Sequence, residues 1–214
     1  MSKPLLDFWF EFASTYSYPA CMRISALADK AGVSVRYRPF LLGPIFKAQG
    51  WDTSPFNLYE AKGRYMWRDL ERICADLAIP FCRPEPFPQN ALLAARVATA
   101  AAGESWHDAF CRAVFHAQFG QGRRIDDASV IEGILNELGA PARDILRLAA
   151  SDHVKLKLRA ETEQAGALGI FGAPSFVTPD GELFWGNDRL DSAIAWAKQH
   201  SGSDTGGTDA GAPR

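Results

Sequence analysis

Two serines, Ser14 and Ser17, lie where a short apolar segment gives way to a helical one. Their spacing is that of a Cys-x-x-Cys redox motif, but neither position holds sulfur. A strand-to-helix junction presents free backbone N–H groups and the positive end of a helix dipole. A thiolate held there is stabilised, as thiols at helix N-termini are. A serine hydroxyl at the same point can donate a hydrogen bond to that thiolate and favour its charged form. The pattern therefore fits a thiol that comes from outside the chain. Serine is also a favoured helix N-cap, and that reading stands beside the first.

Two later segments belong to the same chemistry. Gly172-Ala173-Pro174 runs into the apolar Ser175-Phe176-Val177. Such a loop offers the backbone N–H and C=O of residue 173, to which an extended peptide-like ligand could pair as an added strand. One proline is by itself no evidence of a cis bond, and an ordinary turn into a strand is the alternative. Asn187-Asp188-Arg189 opens a last helix. Its N–H groups and Asp188 would hold the amino and carboxylate ends of a glutamyl group, although Asn187 or Asp188 also suits an N-cap.

The elements that must position these residues follow from pattern. Leu5 to Phe12 is short and aromatic, broken by Asp7 and Glu11, and reads as a buried strand. From Ser17 to Ala31 the apolar positions Ala20, Ile24, Leu27 and Ala28 recur on one helical face, with Gly32 as the stop. Val33 to Arg38 alternates as a second strand, ended by Pro39. Residues 58–167 are alanine-rich and helical in period, as in the stripe Trp106, Phe110, Ala113, Val114 and Ala117. Pro80, Pro84, Pro86 and Pro88 punctuate a loop between helices. Asp126 and Asp127 suit a helix start, and Pro141 a first helical position. A hairpin closes at Pro179-Asp180-Gly181 between Ser175–Thr178 and Glu182–Trp185. Leu190, Ile194 and Ala197 share one side of the last helix, and 201–214 reads as a disordered polar tail.

Composition removes several function classes. A net charge of -2 over 214 residues, with Arg123-Arg124 the one adjacent basic pair, predicts no nucleic-acid partner. No apolar stretch approaches the roughly 20 residues that span a bilayer, and Asp7 and Glu11 break the opening run, so no signal peptide is read. An intracellular, cytoplasmic chain is expected. The four cysteines, Cys21, Cys74, Cys82 and Cys111, have neither redox nor zinc spacing, and free, mostly buried thiols are the default. No metal site is expected.

The segments Asp7–Tyr18, Arg38–Lys47, Gly169–Val177 and Phe184–Leu190 resemble those of the 2-hydroxychromene-2-carboxylate isomerases. These enzymes are relatives of kappa-class glutathione transferases in the DsbA-like branch of the thioredoxin superfamily. The resemblance implies an α/β fold: a thioredoxin-like domain (1–57 and 168–200) with an all-helical insertion (58–167). It implies glutathione as cofactor, with Ser14 holding its sulfur, assisted by Thr15 and Tyr16. Ala173 before cis Pro174 would pair with the cysteinyl unit, and Asn187, Asp188 and Arg189 would bind the glutamyl end. Lys47, in a loop, and Trp51 would meet the substrate, a small aromatic carboxylate. Tyr16, Trp51, Phe87 and Trp185 are the aromatics expected to suit a flat ligand. A homodimer is also implied. The family usually has proline after the serine and often asparagine at the second departure, where this chain has Thr15 and Trp51. A kappa-like glutathione transferase and a non-catalytic glutathione- or peptide-binding module are the competing readings of the same residues.

Overall fold

The computed structural model describes residues 3–200. Its sheet is built from β1 (Leu5–Phe10), β2 (Ser34–Pro39), β3 (Ser175–Val177) and β4 (Leu183–Trp185), in the order β2-β1-β3-β4. β1 runs parallel to β2 and antiparallel to β3, and β3 runs antiparallel to β4. Helix α1 (Ser17–Ala31) connects β1 to β2. Gly32 ends it in the left-handed conformation, φ 74°, which costs a residue without Cβ little.

β1 is apolar at nearly every position because both of its faces are covered. Leu6, Phe8 and Phe10 join a large core with Phe110, Phe115, Ile131 and Leu135, so the sheet and the helices share one hydrophobic interior. Trp9, on the opposite face, packs with Phe40, Ile45, Ala165, Ile170 and Val177. Asp7 shares that face and is paired with Arg36 at 2.6 Å and Arg38 at 3.7 Å.

β2 includes Pro39 rather than stopping before it, with Pro39 in register with Phe10. The strand lies at the sheet edge, where a missing N–H breaks no ladder bond. Between β2 and β3 come α2 (Leu42–Ala48), α3 (Pro55–Leu58), α4 (Glu60–Asp76), α5 (Leu92–Ala100) and α6 (His107–Phe115). A π-helical turn, His116–Gly120, follows, then α7 (Ala128–Glu137), α8 (Ala142–Ala149) and α9 (Asp152–Ala167). Asp127 caps α7 by accepting from the Ser129 N–H. Pro141 sits one residue before α8 rather than inside it. A 3-10 turn, Asn187–Arg189, intervenes before the last helix, α10 (Leu190–Gln199). The tail expected at 201–214 lies outside the described residues. Among the described residues no helix is long and apolar enough to cross a membrane.

Candidate functional site

Ser14 lies in the turn between β1 and α1, fixed by its N–H donating to the Glu11 carbonyl at 3.0 Å. Its hydroxyl donates to the carbonyl of Ala173 at 2.9 Å. The Ala173-Pro174 bond is cis, as the resemblance implies. The Ala173 N–H has no hydrogen-bond partner among the described residues. Pro174 in turn accepts from the Gly186 N–H at 3.0 Å, which brings the Asn187–Arg189 turn alongside.

Neither serine caps α1. The N-cap is Tyr16, with no side-chain capping bond, and Ser17 is fully buried with its hydroxyl unpartnered. The first-turn N–H groups of α1 therefore receive no serine oxygen: the Ser14 hydroxyl is given to Ala173 and the Ser17 hydroxyl is buried without a partner. Asn187 and Asp188 do not cap their turn either. The Asn187 side-chain oxygen and backbone carbonyl both accept from Arg23 of α1, at 3.1 and 2.7 Å, and Arg23 is also paired with Asp191 at 3.1 Å. Asp188 is exposed, 3.5 Å from Arg189.

Tyr16 donates from its hydroxyl to Asp69 of α4 at 3.0 Å, and its ring stands 6.2 Å from that of Phe56. Burial and the Asp69 carboxylate push its phenol above the usual range, so it stays protonated. Thr15 is buried beside it. Glu11 was legible in the sequence only as a break in an apolar run. Its carboxylate accepts from the Leu42 N–H at 3.1 Å at the start of α2. Burial pushes that carboxyl up to about 7, against the opposing pull of the Leu42 bond.

The structure thus gathers Ser14, Ala173, Pro174 and Asn187, through Arg23, into one constellation. Lys47 and Trp51 make no hydrogen bond or ring contact with these residues, although Ile45, also on α2, shares an apolar cluster with Ala173. Lys47 sits on α2, not in a loop, because residues 42–48 wind into a turn whose start Glu11 caps. Trp51 is exposed, and its ring lies 6.1 Å from that of Phe46 at an interplanar angle of 47°. Arg23 and Asp69 were missed by sequence reasoning. Each sits on a helix with an ordinary amphipathic pattern and gives no local signal.

The model of the DSBA-like thioredoxin domain matches residues 5–193. The chain belongs to this family. Within it, the chain is 32% identical to a 2-hydroxychromene-2-carboxylate isomerase of Sphingobium xenophagum, over 87% of this chain and 94% of that protein. It is 26% identical to glutathione S-transferase kappa 1 of Homo sapiens, over 87% of each chain. A solved 2-hydroxychromene-2-carboxylate isomerase superposes with a TM-score of 0.81 at 28% identity, covering 92% of this chain and 98% of that one. The DsbA-like fold and the isomerase and kappa-transferase kinship expected from the residues are therefore both found. Ser14 and Ser17 keep the spacing of a Cys-x-x-Cys motif but supply no thiol. The nearest cysteine in sequence, Cys21, is fully buried, and burial pushes its thiol well above the usual range.

Proposed function

We propose that the protein is a glutathione-dependent isomerase of the 2-hydroxychromene-2-carboxylate type, interconverting the chromene and the ring-opened trans-hydroxybenzylidenepyruvate. The observation that carries this reading is the Ser14–Ala173 hydrogen bond, which sets a hydroxyl and a peptide-pairing backbone side by side. The donor set suits the tripeptide. The free Ala173 N–H and its carbonyl match a peptide unit, and the first-turn N–H groups at Asn187 and Asp188 match a carboxylate.

Ser14 has one proton to give, and the Ala173 carbonyl accepts it here. A ligand amide can share that carbonyl, which has two lone pairs, and the Ser14 hydroxyl reaches sulfur by turning away from it. The dipole of α1 adds positive potential at the same point. Arg23 holds the Asn187 turn in place so that peptide pairing and thiolate binding occur together. When bound, glutathione supplies a thiolate whose transient addition to the conjugated substrate makes the double bond single and free to rotate, and whose departure restores it. Atoms balance without any oxidant, which suits a site with serine at both motif positions.

The test is turnover of 2-hydroxychromene-2-carboxylate with and without glutathione, by native protein and by Ser14→Ala. Glutathione-dependent turnover that falls about 10²-fold in the variant supports the reading. Conjugation of model electrophiles without isomerisation would favour a transferase, since the same residues serve both. A dimer, implied by the resemblance, is checked by size-exclusion chromatography.

A further inference from the structure

Glu11 is the one acidic side chain in the turn that carries Ser14. It is fixed from two sides. Its carbonyl accepts from the Ser14 N–H at 3.0 Å, and its carboxylate Oε2 accepts from the Leu42 N–H at 3.1 Å. Leu42 and Ala173 pack against one apolar cluster, which includes Trp9, Phe40, Ile45 and Val177. Ala173 is also the acceptor of the Ser14 hydroxyl. The partner of the Glu11 carboxylate and the partner of the Ser14 hydroxyl thus border the same cluster, which sets both groups on one flank of the turn. The second carboxylate oxygen, Oε1, makes no hydrogen bond among the described residues and, unlike the Ser17 hydroxyl, is not closed off from solvent.

No basic side chain neutralises this carboxylate. On the same face of the sheet, Asp7, Arg36, Arg38 and, from α9, Glu161 are paired with one another. Lys47 of α2 forms no ion pair with Glu11. Tyr16, the other titratable group of the turn, donates to Asp69 of α4. Burial holds the Glu11 carboxyl at about 7, where a group takes up and returns protons readily near neutral pH. A thiolate at Ser14 brings a second negative charge to this turn. Two acids that share a site do not both ionise easily, so the carboxylate gains proton affinity as the sulfur loses its proton.

We propose that Glu11 is the acceptor of the glutathione thiol proton. The S–H bond breaks, its electron pair stays on sulfur as the thiolate, and the proton goes to the open Oε1. Oε2 keeps the Leu42 N–H, and a neutral carboxylic acid then stands beside the sulfur instead of a second anion. The proton returns to sulfur when glutathione leaves. The inference rests on the glutathione reading of the Ser14 site.

Titration calorimetry of glutathione at about pH 8, in two buffers of different ionisation enthalpy, counts the protons given to solvent. Ultraviolet absorbance counts the thiolate formed in the same complex. Native protein should release well under roughly half a proton per thiolate formed, because Glu11 keeps it. Glu11→Gln, which preserves an acceptor for the Leu42 N–H, should release about one. Native protein alone gives a second readout: its infrared difference spectrum on binding should gain the C=O stretch of a protonated carboxyl, since the carboxyls of glutathione itself stay ionised at that pH. About one proton released per thiolate in both proteins, or no such band in native protein, would overturn the inference and leave the glutathione reading intact. No binding by native protein, or binding without new thiolate, would remove that reading and the inference with it.

Discussion

The Ser14 hydroxyl donates to the Ala173 carbonyl across 159 positions of sequence, closing the turn before α1 onto the loop before β3. The bond uses the one proton that the hydroxyl could offer to a thiolate. Under the proposed function the Ser14 hydroxyl turns from that carbonyl to the thiolate, while the carbonyl, with two lone pairs, still takes a ligand N–H.

Under the proposed function, Arg23 separates holding the ligand from activating it. Arg23→Met removes the two bonds to Asn187 and the pair with Asp191, leaving the Ser14–Ala173 bond untouched. Glutathione affinity should fall about tenfold, in keeping with a lost charge-assisted bond of about 1.5–3 kcal/mol acting through an intermediary. The pKa of whatever thiol still binds should not move. Titration calorimetry paired with thiolate absorbance reads both quantities.

Glu11 gives the protein a pH-dependent stability of definite sign. Its carboxyl ionises near the ordinary 4.5 when the chain is unfolded and near 7 when folded. Between those values the folded state keeps a proton that the unfolded state releases, so stability falls as pH rises and levels off above 7. Glu11→Gln keeps an acceptor for the Leu42 N–H and removes the titration. Urea unfolding should show the variant gaining on native protein by about 1–3 kcal/mol between pH 4.5 and 8. A constant difference would mean that Glu11 is already ionised in the fold.

Much of this was legible in the chain. The limits of α1 could be read because a periodic apolar face ended at a glycine, and Gly32 does take the left-handed cap. The hairpin of β3 and β4 followed from a Pro-Asp-Gly turn between two apolar runs. α2 and the π-helical turn at His116–Gly120 were not legible, because each depends on tertiary contacts: α2 on the Glu11 cap, the π turn on packing of Phe119 against Tyr18. The same limit holds at the site. Ser14, Ala173 and Asn187 carry motif signals, whereas Arg23 and Asp69 reach across from other elements and leave no trace in spacing.

The cysteines offer a check on the packing around the site. Cys82 is exposed, and Cys21, Cys74 and Cys111 are buried. Burial raises the last three, Cys74 to about 11, which suppresses the reactive thiolate. A chromogenic disulfide reagent should therefore label one thiol per chain rapidly in native protein and all four after unfolding. Rapid labelling of Cys21 would show that the start of α1 opens to solvent.

The central claim is that Ser14 stabilises a thiolate. The most direct measurement is the ultraviolet absorbance of glutathione thiolate against pH, bound to native protein and to Ser14→Ala. An ordinary thiol titrates near 8.5, and one charge-assisted hydrogen bond is worth about one to two pH units. The account predicts a bound thiol titrating at least about one unit lower in native protein, with most of that shift lost in the variant. Binding with the same titration in both proteins would contradict it.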